Sequence, residues 1–171
     1  MKLDYYLRPP RKEDARALSD LRRMPGVFEN VLGVPTNRDD QTEHFIAHFG
    51  SNDHHLLAVV RSGGGEETVI GICSILVCDN PRRRHSGTLG MMVHADYQNR
   101  GVGSALLAAI LDVADNWLKL VRVELEVFAD NQRAIHLYEK LGFEREGVKR
   151  AGAIRHGIYA DELFMARIRD K

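Results

Sequence analysis

Apolar residues recur along this chain at two spacings, and the spacing changes from one segment to the next. From Gly101 to Leu118 they recur at helical spacing, which predicts an amphipathic helix. From Val121 to Phe128 apolar and polar residues alternate, which predicts a half-buried strand. The apolar positions of the helix are Val102, Leu106, Ala109, Ile110, Val113 and Trp117.

Further strands and helices are predicted on both sides of this pair. Strands are predicted at Leu3–Arg8, Leu56–Arg61, Thr68–Val77, Thr88–His94, and near Val148–Ile154 and Asp161–Ile168. Helices are predicted from Lys12 to about Met24, from Asp39 onward, and along Ala134–Leu141 before Gly142. The stretch Val27–Asn37 is irregular. This order indicates an α+β protein with one strand–helix–strand crossover in the middle.

The composition is typical of a globular protein. Apolar residues make up 44% of the chain and charged residues 28%, and 24 basic residues balance 24 acidic ones. A chain with no net charge has no overall field that would attract nucleic acid or an anionic membrane. We therefore expect neither of them as a partner, and the length of 171 residues predicts a single domain.

The sequence also predicts a cytoplasmic protein. Met1–Arg8 lacks the apolar core and the cleavage site of a signal peptide, and no stretch approaches the roughly 20 apolar residues of a membrane span. Cys73 and Cys78 lie five positions apart in a β-prone run, so they should face opposite sides of a strand. We therefore expect free thiols in a reducing compartment.

The turn from Val93 to Ser104 links a predicted strand to the long helix. Gly101 and Gly103 have no Cβ, so a ligand can approach the backbone closely. The first N–H groups of the helix lack intrahelical partners, and with the helix dipole they form an anion site. Arg100 can add a cation. The alternative is a glycine-rich entry to an ordinary helix.

Other phosphate-binding loops fit this turn less well. A dinucleotide fingerprint needs a third glycine where Leu106 stands. A P-loop needs Gly-Lys-Ser/Thr, and the turn continues as Gly103-Ser104-Ala105. The separate run of glycines at 63–65 precedes two glutamates that would repel phosphate, which favours a hairpin turn there.

Two motifs resemble the signatures of the GCN5-related N-acetyltransferase (GNAT) family. Gln98-x-x-Gly101-x-Gly103 resembles its Q/R-x-x-G-x-G/A motif, and Asn131–Phe143 resembles its second signature. Arg8–Ala15 also resembles the usual first strand and helix. The resemblance implies a GNAT fold over residues 1–171, in which helices flank a mixed, mostly antiparallel central sheet. It also implies transfer of acetyl from acetyl-CoA to a primary amine by direct attack, and a homodimer.

The resemblance further implies where the coenzyme binds. Met92 and Val93 would pair through their backbone with the pantetheine arm, and Asn131 would hydrogen-bond it. Ala134 belongs to the same motif as Asn131, and Gln98 opens the first motif. The pyrophosphate would lie on the backbone amides of Asn99, Arg100, Gly101, Val102, Gly103 and Ser104.

Tyr138 matches the tyrosine that faces the coenzyme sulfur in the family. Attack of a neutral amine on a thioester forms an oxyanion and then expels a thiolate. A backbone N–H near Val93 could stabilise the oxyanion, and a phenol with an ordinary pKa near 10 can protonate the thiolate. The alternative for Tyr138 is a packed aromatic on an apolar stripe.

The general base is poorly marked. Many relatives carry a carboxylate on the strand before the glycine-rich turn, and Thr88–Val93 has none. Glu124, on the next strand, is the candidate, acting directly or through water; a solvated or ion-paired structural carboxylate is the alternative. Asp161 and His94 are weaker candidates, and water held by backbone carbonyls is a further alternative.

No metal site is expected. His44 and His48 have a spacing that could share a metal, but no third ligand is evident, so surface histidines are favoured. The basic run Pro81–His85 could attract the 3′-phosphate of the coenzyme or an acceptor carboxylate, and a solvated loop is the alternative.

The acceptor is a small-molecule amine in this interpretation. Four segments resemble bacterial L-amino-acid N-acetyltransferases: Val31–Pro35, Pro81–Arg83, Asp115–Leu118 and Gly157–Asp161. Phe28–Asn37 and Ile154–Tyr159 are expected to line the acceptor site. The rival acceptors are a protein N-terminus and an aminoglycoside. A catalytically silent domain that senses acetyl-CoA is the rival of a different class.

Overall fold

The computed structural model describes residues 3–36 and 38–169, so the predicted Asn37 end of one irregular segment lies outside the described residues. Seven strands hydrogen-bond in the order β1-β2-β3-β4-β5-β7-β6. They are β1 (Tyr6–Arg8), β2 (Asp53–Arg61), β3 (Glu67–Val77), β4 (Ser86–Val93), β5 (Arg122–Phe128), β6 (Glu144–Arg155) and β7 (Ile158–Ile168). The α-helices of the described residues are α1 (Ala15–Arg23), α2 (Asp39–Ala47), α3 (Val102–Asp112) and α4 (Gln132–Lys140).

The predicted mixed, mostly antiparallel sheet is confirmed. β1–β2, β5–β7 and β6–β7 pair antiparallel, and β4 pairs with β5 in parallel through Ser86–Thr88 and Arg122–Glu124. The α+β class and the β4–α3–β5 crossover follow from this order. The chain divides into two compact units, residues 1–75 with 90–111 and residues 76–89 with 112–171. The single domain over residues 1–171 stays a prediction.

The first unit has its own apolar core between α1, α2 and the strands β2 and β3. Leu18 and Leu21 of α1 and Leu57 and Val59 of β2 are buried in it. α3 approaches β3 closely at Gly71, where a Cβ would lie 3.0 Å from Leu106 Cδ1. Glycine at this position therefore lets the helix pack directly against the strand backbone.

A buried ion pair ties β1 to the start of α1. The two terminal nitrogens of Arg8, Nη1 and Nη2, donate to Asp14 at 2.7 and 2.8 Å, and Nε and Nη2 also donate to Glu67. Burial alone would raise the pKa of Asp14, but hydrogen bonds from Arg8 and the Arg11 N–H lower it below its ordinary value. The carboxylate is therefore charged and fully paired in the folded chain.

The second unit buries one face of β5 and exposes the other to polar partners. Val123, Leu125 and Val127 are buried, whereas the alternate positions carry Arg122 and Glu124. This is the period of two that the sequence predicts for a strand with one apolar face. β7 pairs with β5 along the whole length of β5, and β6 is the edge strand on this side of the sheet.

The long predicted helix is α-helical over a shorter span than expected. α3 stops at Asp112 and continues as a π-helical turn over Val113–Trp117, and Trp117 is 79% exposed. The prediction of Trp117 on a buried stripe is wrong, because each π-turn residue advances less around the helix axis than an α-helical one. Of the other positions of the stripe, Val102, Leu106 and Ile110 are buried, and Ala109 and Val113 are half-buried.

Cys73 and Cys78 are free thiols, as expected. Cys73 is fully buried, and burial raises its pKa to about 12. Within residues 3–36 and 38–169, no helix is long and apolar enough to cross a membrane.

Replacing Asp14 with Asn should lower the free energy of unfolding by about 3 kcal/mol at pH 7, because the buried Arg8 then lacks its main counter-ion. The folded-state pKa of Asp14 lies below the unfolded value, so its stabilising contribution is present above about pH 4 and is lost as the pH falls through the folded-state pKa. Urea unfolding across a pH series should show the wild-type advantage shrinking below that pH.

The matched control for this measurement is Asp20→Asn. Asp20 also pairs with an arginine, Arg23, but its side chain is 60% exposed. We expect it to cost about 0.5 kcal/mol or less. Equal losses in the two variants would contradict the account of a buried pair.

Candidate functional site

The backbone turns sharply between the end of β4 and the start of α3. Asn99 and Gly101 adopt left-handed conformations, with φ of 59° and 84°. The Ala105 N–H donates to the Gly101 carbonyl at 3.0 Å, so the amides that precede Ala105 open the helix without intrahelical partners. A Cβ at Gly101 would meet no atom within 4 Å, which leaves open space over this backbone.

The turn thus has a left-handed glycine and an uncovered helix start, and the anion site at this position stays a prediction. Val102 is fully buried and anchors the first turn of α3, whereas Gly101 and Ser104 are exposed. Exposed amides at the head of a helix, beside a glycine with no side chain, can bind an anion such as a pyrophosphate.

Hydrogen bonds that involve side chains connect this loop to the segment that follows α1. Gln98 Nε2 donates to the Val93 carbonyl at 3.0 Å and to the Gly26 carbonyl at 3.3 Å. The Ala95 N–H donates to Met24 Sδ at 3.5 Å. Nothing local in the sequence marks Met24 and Gly26 as part of the site, because they lie about 70 positions away from the residues they contact.

Arg100 places a cation on the exposed side of the same loop. Its guanidinium carbon lies 5.7 Å from the centre of the Tyr97 ring, and that ring packs edge-on against His94 at 5.2 Å. The His94 ring also caps the turn, because its Nδ1 accepts from the Asp96 N–H at 3.2 Å. His94 is therefore occupied structurally, which weighs against its use as a base.

At the end of β4, the backbone hydrogen-bonding groups of Met92 and Val93 point in opposite directions. The His94 N–H donates to the Ile70 carbonyl of β3 at 2.9 Å. Hydrogen-bonding directions alternate along a strand, so Met92 also faces β3 and Val93 faces away from it. The Met92 carbonyl would lie 3.0 Å from a Cβ at Gly71 of β3, in agreement. The Val93 N–H is therefore not used by the β3 ladder.

The second unit holds the other predicted residues. Asn131 caps α4, and its Oδ1 accepts from the Ala134 N–H at 3.2 Å. This cap uses one acceptor position of the amide oxygen, and the Nδ2 donors of Asn131 take no part in it. Ala134 is half-buried in the first turn of the helix.

Tyr138 lies one turn after Ala134 on α4 and is 7% exposed. Its ring centre lies 5.7 Å from that of Phe143, which is buried. Its backbone carbonyl accepts from the Leu141 and Phe143 N–H groups, which closes the end of the helix. The residue is thus held in place by packing, with a small part of its surface accessible.

Glu124 lies in an ion-pair network on β5. Arg122 Nε donates to Glu124 at 2.6 Å, and the same guanidinium donates to both oxygens of Glu146. These carboxylates raise the pKa of Arg122. The network gives Glu124 a structural partner, which favours the ion-paired alternative over a role as base. Asp161, the weaker candidate, accepts from the Ala151 N–H at 2.8 Å.

The remaining candidates have local roles. The His44 and His48 rings stack at 3.9 Å on the exposed surface of α2, and His48 Nδ1 contacts the His44 carbonyl at 2.7 Å. Among the described residues, no three potential ligands group around a common metal position. The basic run after β3 begins with a short 3-10 turn, Pro81–Arg83, that the Asn80 side chain caps.

Comparison with known proteins points to one family. The sequence matches the acetyltransferase (GNAT) family over residues 20–143. It is 36% identical over 163 residues to the L-amino acid N-acetyltransferase AaaT of Escherichia coli, which covers 95% of this chain and 97% of that protein.

Solved structures agree. A GNAT-family acetyltransferase from Streptococcus pneumoniae has a TM-score of 0.80 and 28% identity, over 97% of this chain and 100% of that one. A spermidine N-acetyltransferase from Vibrio cholerae, solved with CoA and spermine, shares the fold with a TM-score of 0.81, at 21% identity over 96% of this chain and 95% of that one.

Replacing Gly101 with Ala should destabilise the chain by about 1–2 kcal/mol, because an L-residue is strained at this φ, and not because of a clash. The distorted turn should also weaken coenzyme A binding about tenfold, or about 1.4 kcal/mol, in calorimetry. The control is Gly147→Ala in β6, where a Cβ also meets nothing within 4 Å and the φ is ordinary. Unchanged coenzyme affinity in Gly101→Ala would argue against an anion site here.

Proposed function

The chain belongs to the acetyltransferase (GNAT) family and is an acetyl-CoA-dependent N-acetyltransferase, and we propose that its acceptor is the primary amine of a free L-amino acid or of a similar small amine. The observation that carries the assignment to this site is the set of bare amides at the head of α3, where Gly101 is left-handed and uncovered. Phosphate groups are the anions that such a helix start binds best.

The diphosphate of the coenzyme lies, in this proposal, on the amides of residues 99–104, with Arg100 as the exposed cation. These interactions come from the backbone, so they fix the diphosphate without depending on a particular side chain. They also define where the rest of the coenzyme extends, since the pantetheine arm is bonded to the diphosphate.

The Val93 N–H is the proposed oxyanion donor. It points away from β3 and is not part of that ladder, whereas the hydrogen-bonding groups of Met92 face β3. A fixed N–H stabilises the negative charge that develops on the thioester oxygen. On the second unit, the Nδ2 donor of Asn131 is the group that remains to hold the pantetheine arm.

Tyr138 is the proposed general acid. The neutral amine attacks the thioester carbonyl, forms the C–N bond, and gives a tetrahedral intermediate with a negative oxygen. Collapse of this intermediate breaks the C–S bond, and the phenol proton of Tyr138 goes to the departing sulfur. The amide nitrogen then loses its extra proton, which restores the phenol directly or through water.

A base that takes the first proton from the acceptor is not assigned to Glu124. Its carboxylate accepts a 2.6 Å hydrogen bond from Arg122 and is held in that ion pair, which gives it a structural role. We propose instead that water carries this proton to solvent.

Arg22 supports an acceptor that carries a carboxylate. It lies at the end of α1, where a Cβ on Gly33 would be 3.5 Å from its Cγ and 3.6 Å from the Phe28 ring. Burial lowers the pKa of Arg22, and within residues 3–36 and 38–169 no carboxylate forms an ion pair with it. The α-carboxylate of an amino acid would supply the missing partner in the segment expected to line the acceptor site.

The homodimer expected from the resemblance stays a prediction. Sedimentation of the purified chain at several concentrations would decide it.

Replacing Tyr138 with Phe should lower kcat about 100-fold and leave the affinity for acetyl-CoA nearly unchanged, because it removes a proton donor and keeps the packing against Phe143. Steady-state kinetics and calorimetry measure the two effects separately. Tyr5→Phe is the control, since it removes a hydroxyl that has no place in the proposed site. Equal kcat in all three proteins would exclude the acid role.

A panel of amines with acetyl-CoA as donor should give turnover with free L-amino acids, measured as release of the coenzyme thiol. We expect each amino acid to have a lower KM than its carboxamide, because the amide lacks the charge that would pair with Arg22. The panel also contains a peptide N-terminus, spermidine and an aminoglycoside. Preference for one of these would replace the proposed acceptor, and coenzyme binding without turnover on any amine would favour the sensor alternative.

A further inference from the structure

Glu162 is a buried carboxylate whose charge is incompletely satisfied. Its side chain is 3% exposed, and its Oε2 is buried without a hydrogen-bond partner. The ammonium of Lys149 lies 3.6 Å from this oxygen, beyond hydrogen-bond distance, and it donates instead to Glu126 at 2.8 Å. A buried carboxylate oxygen without a donor is costly, so it needs a reason.

The chain makes room for this carboxylate at one glycine. A Cβ at Gly152 would lie 2.5 Å from Glu162 Oε2 and 3.2 Å from its Cγ. The φ of Gly152 is outside the left-handed range and does not require glycine, and a Cβ there would also lie 3.1 Å from the Lys149 carbonyl oxygen. Gly152 lies where the β6–β7 register shifts between Lys149 and Ala153. The bulge and the missing side chain of Gly152 together provide the space that the Glu162 oxygen occupies.

The position of Glu162 in its unit points to the proposed site. Its register partner on β5 is Phe128, the last residue of that strand, and Asn131 follows three positions later as the cap of α4. The cation that stacks on Phe128 at 4.7 Å, Arg155, pairs with Asp130. Arg155 and Lys149 therefore hydrogen-bond to other carboxylates, and Lys149 reaches Glu162 only as an ion pair at 3.6 Å, so Oε2 of Glu162 keeps an open acceptor.

We propose that Glu162 binds the protonated amino group of the acceptor and thereby selects for a cationic amine. The inference rests on the proposed function. An ammonium group carries several N–H donors and a positive charge. It can therefore donate a hydrogen bond to Oε2 and also compensate the carboxylate charge. The competing explanation is that Glu162 serves only as a second counter-ion for Lys149.

Glu162→Gln tests the proposal on the amine that gives the highest turnover with the wild type. It keeps the size of the side chain and removes its charge. We expect KM for that amine to rise at least tenfold, a smaller change in kcat, and an unchanged affinity for coenzyme A. Glu146→Gln is the matched control, because it removes a carboxylate of the same unit that pairs with Arg122 and not with Lys149. Its KM should stay within about twofold.

Gly152→Ala is a second variant that keeps the charge and displaces the carboxylate. It should also raise KM, and the double variant with Glu162→Gln should be no worse than the worse single one, because both act on the same contact. Thermal melting of each variant shows that it is folded. Lys149→Met should leave KM unchanged or lower it, since Lys149 competes with the substrate for Glu162.

The outcomes separate this inference from the proposed function. If the wild type acetylates amines and Glu162→Gln keeps the wild-type KM, the inference fails and the proposed function stands. If Lys149→Met raises KM as much as Glu162→Gln does, Glu162 is only a counter-ion, and the inference also fails. If the wild type turns over no amine, the proposed function fails and takes this inference with it.

Discussion

The site depends on a reversal of the backbone at the start of α3. Two left-handed residues, Asn99 and Gly101, turn the chain out of β4, and fully buried Val102 then fixes the direction of the helix. The unpaired amides of the first turn are held by the same geometry that begins the helix. An anion site made in this way is rigid, because moving it would require the helix itself to move.

Ion pairs divide the charged residues of the chain into two classes. Arg8 with Asp14, and Arg122 with Glu124, have complementary partners at hydrogen-bond distance, and they stabilise the fold. Glu162 is buried and Arg22 is half-buried, and within residues 3–36 and 38–169 neither has a matching partner at that distance. The folded chain alone accounts for the charges of the first class. A charge that the fold leaves incompletely compensated is better evidence for a ligand.

Backbone groups supply most of the chemistry proposed for the coenzyme. The amides of α3 and the Val93 N–H are fixed by secondary structure, and Asn131 has its oxygen committed to the cap of α4. In the proposed mechanism a side chain acts at the reacting atoms, and Tyr138, the one proposed, packs against Phe143. Such a division makes the coenzyme site tolerant of side-chain change and leaves the acceptor site free to differ, since its contacts come from side chains and loops.

The sequence by itself determined the element order, the glycine-rich turn and the α4 motif, because local spacing and backbone preference set these features. It did not mark the exposure of Trp117, which depends on a π-turn, or the Gln98 contact to Gly26, which joins distant segments. Only the tertiary structure decided that Glu124 is ion-paired and that Glu162 lacks a donor. The reason is physical: the state of a charge depends on which groups the fold brings within a few ångströms, and no local pattern carries that information.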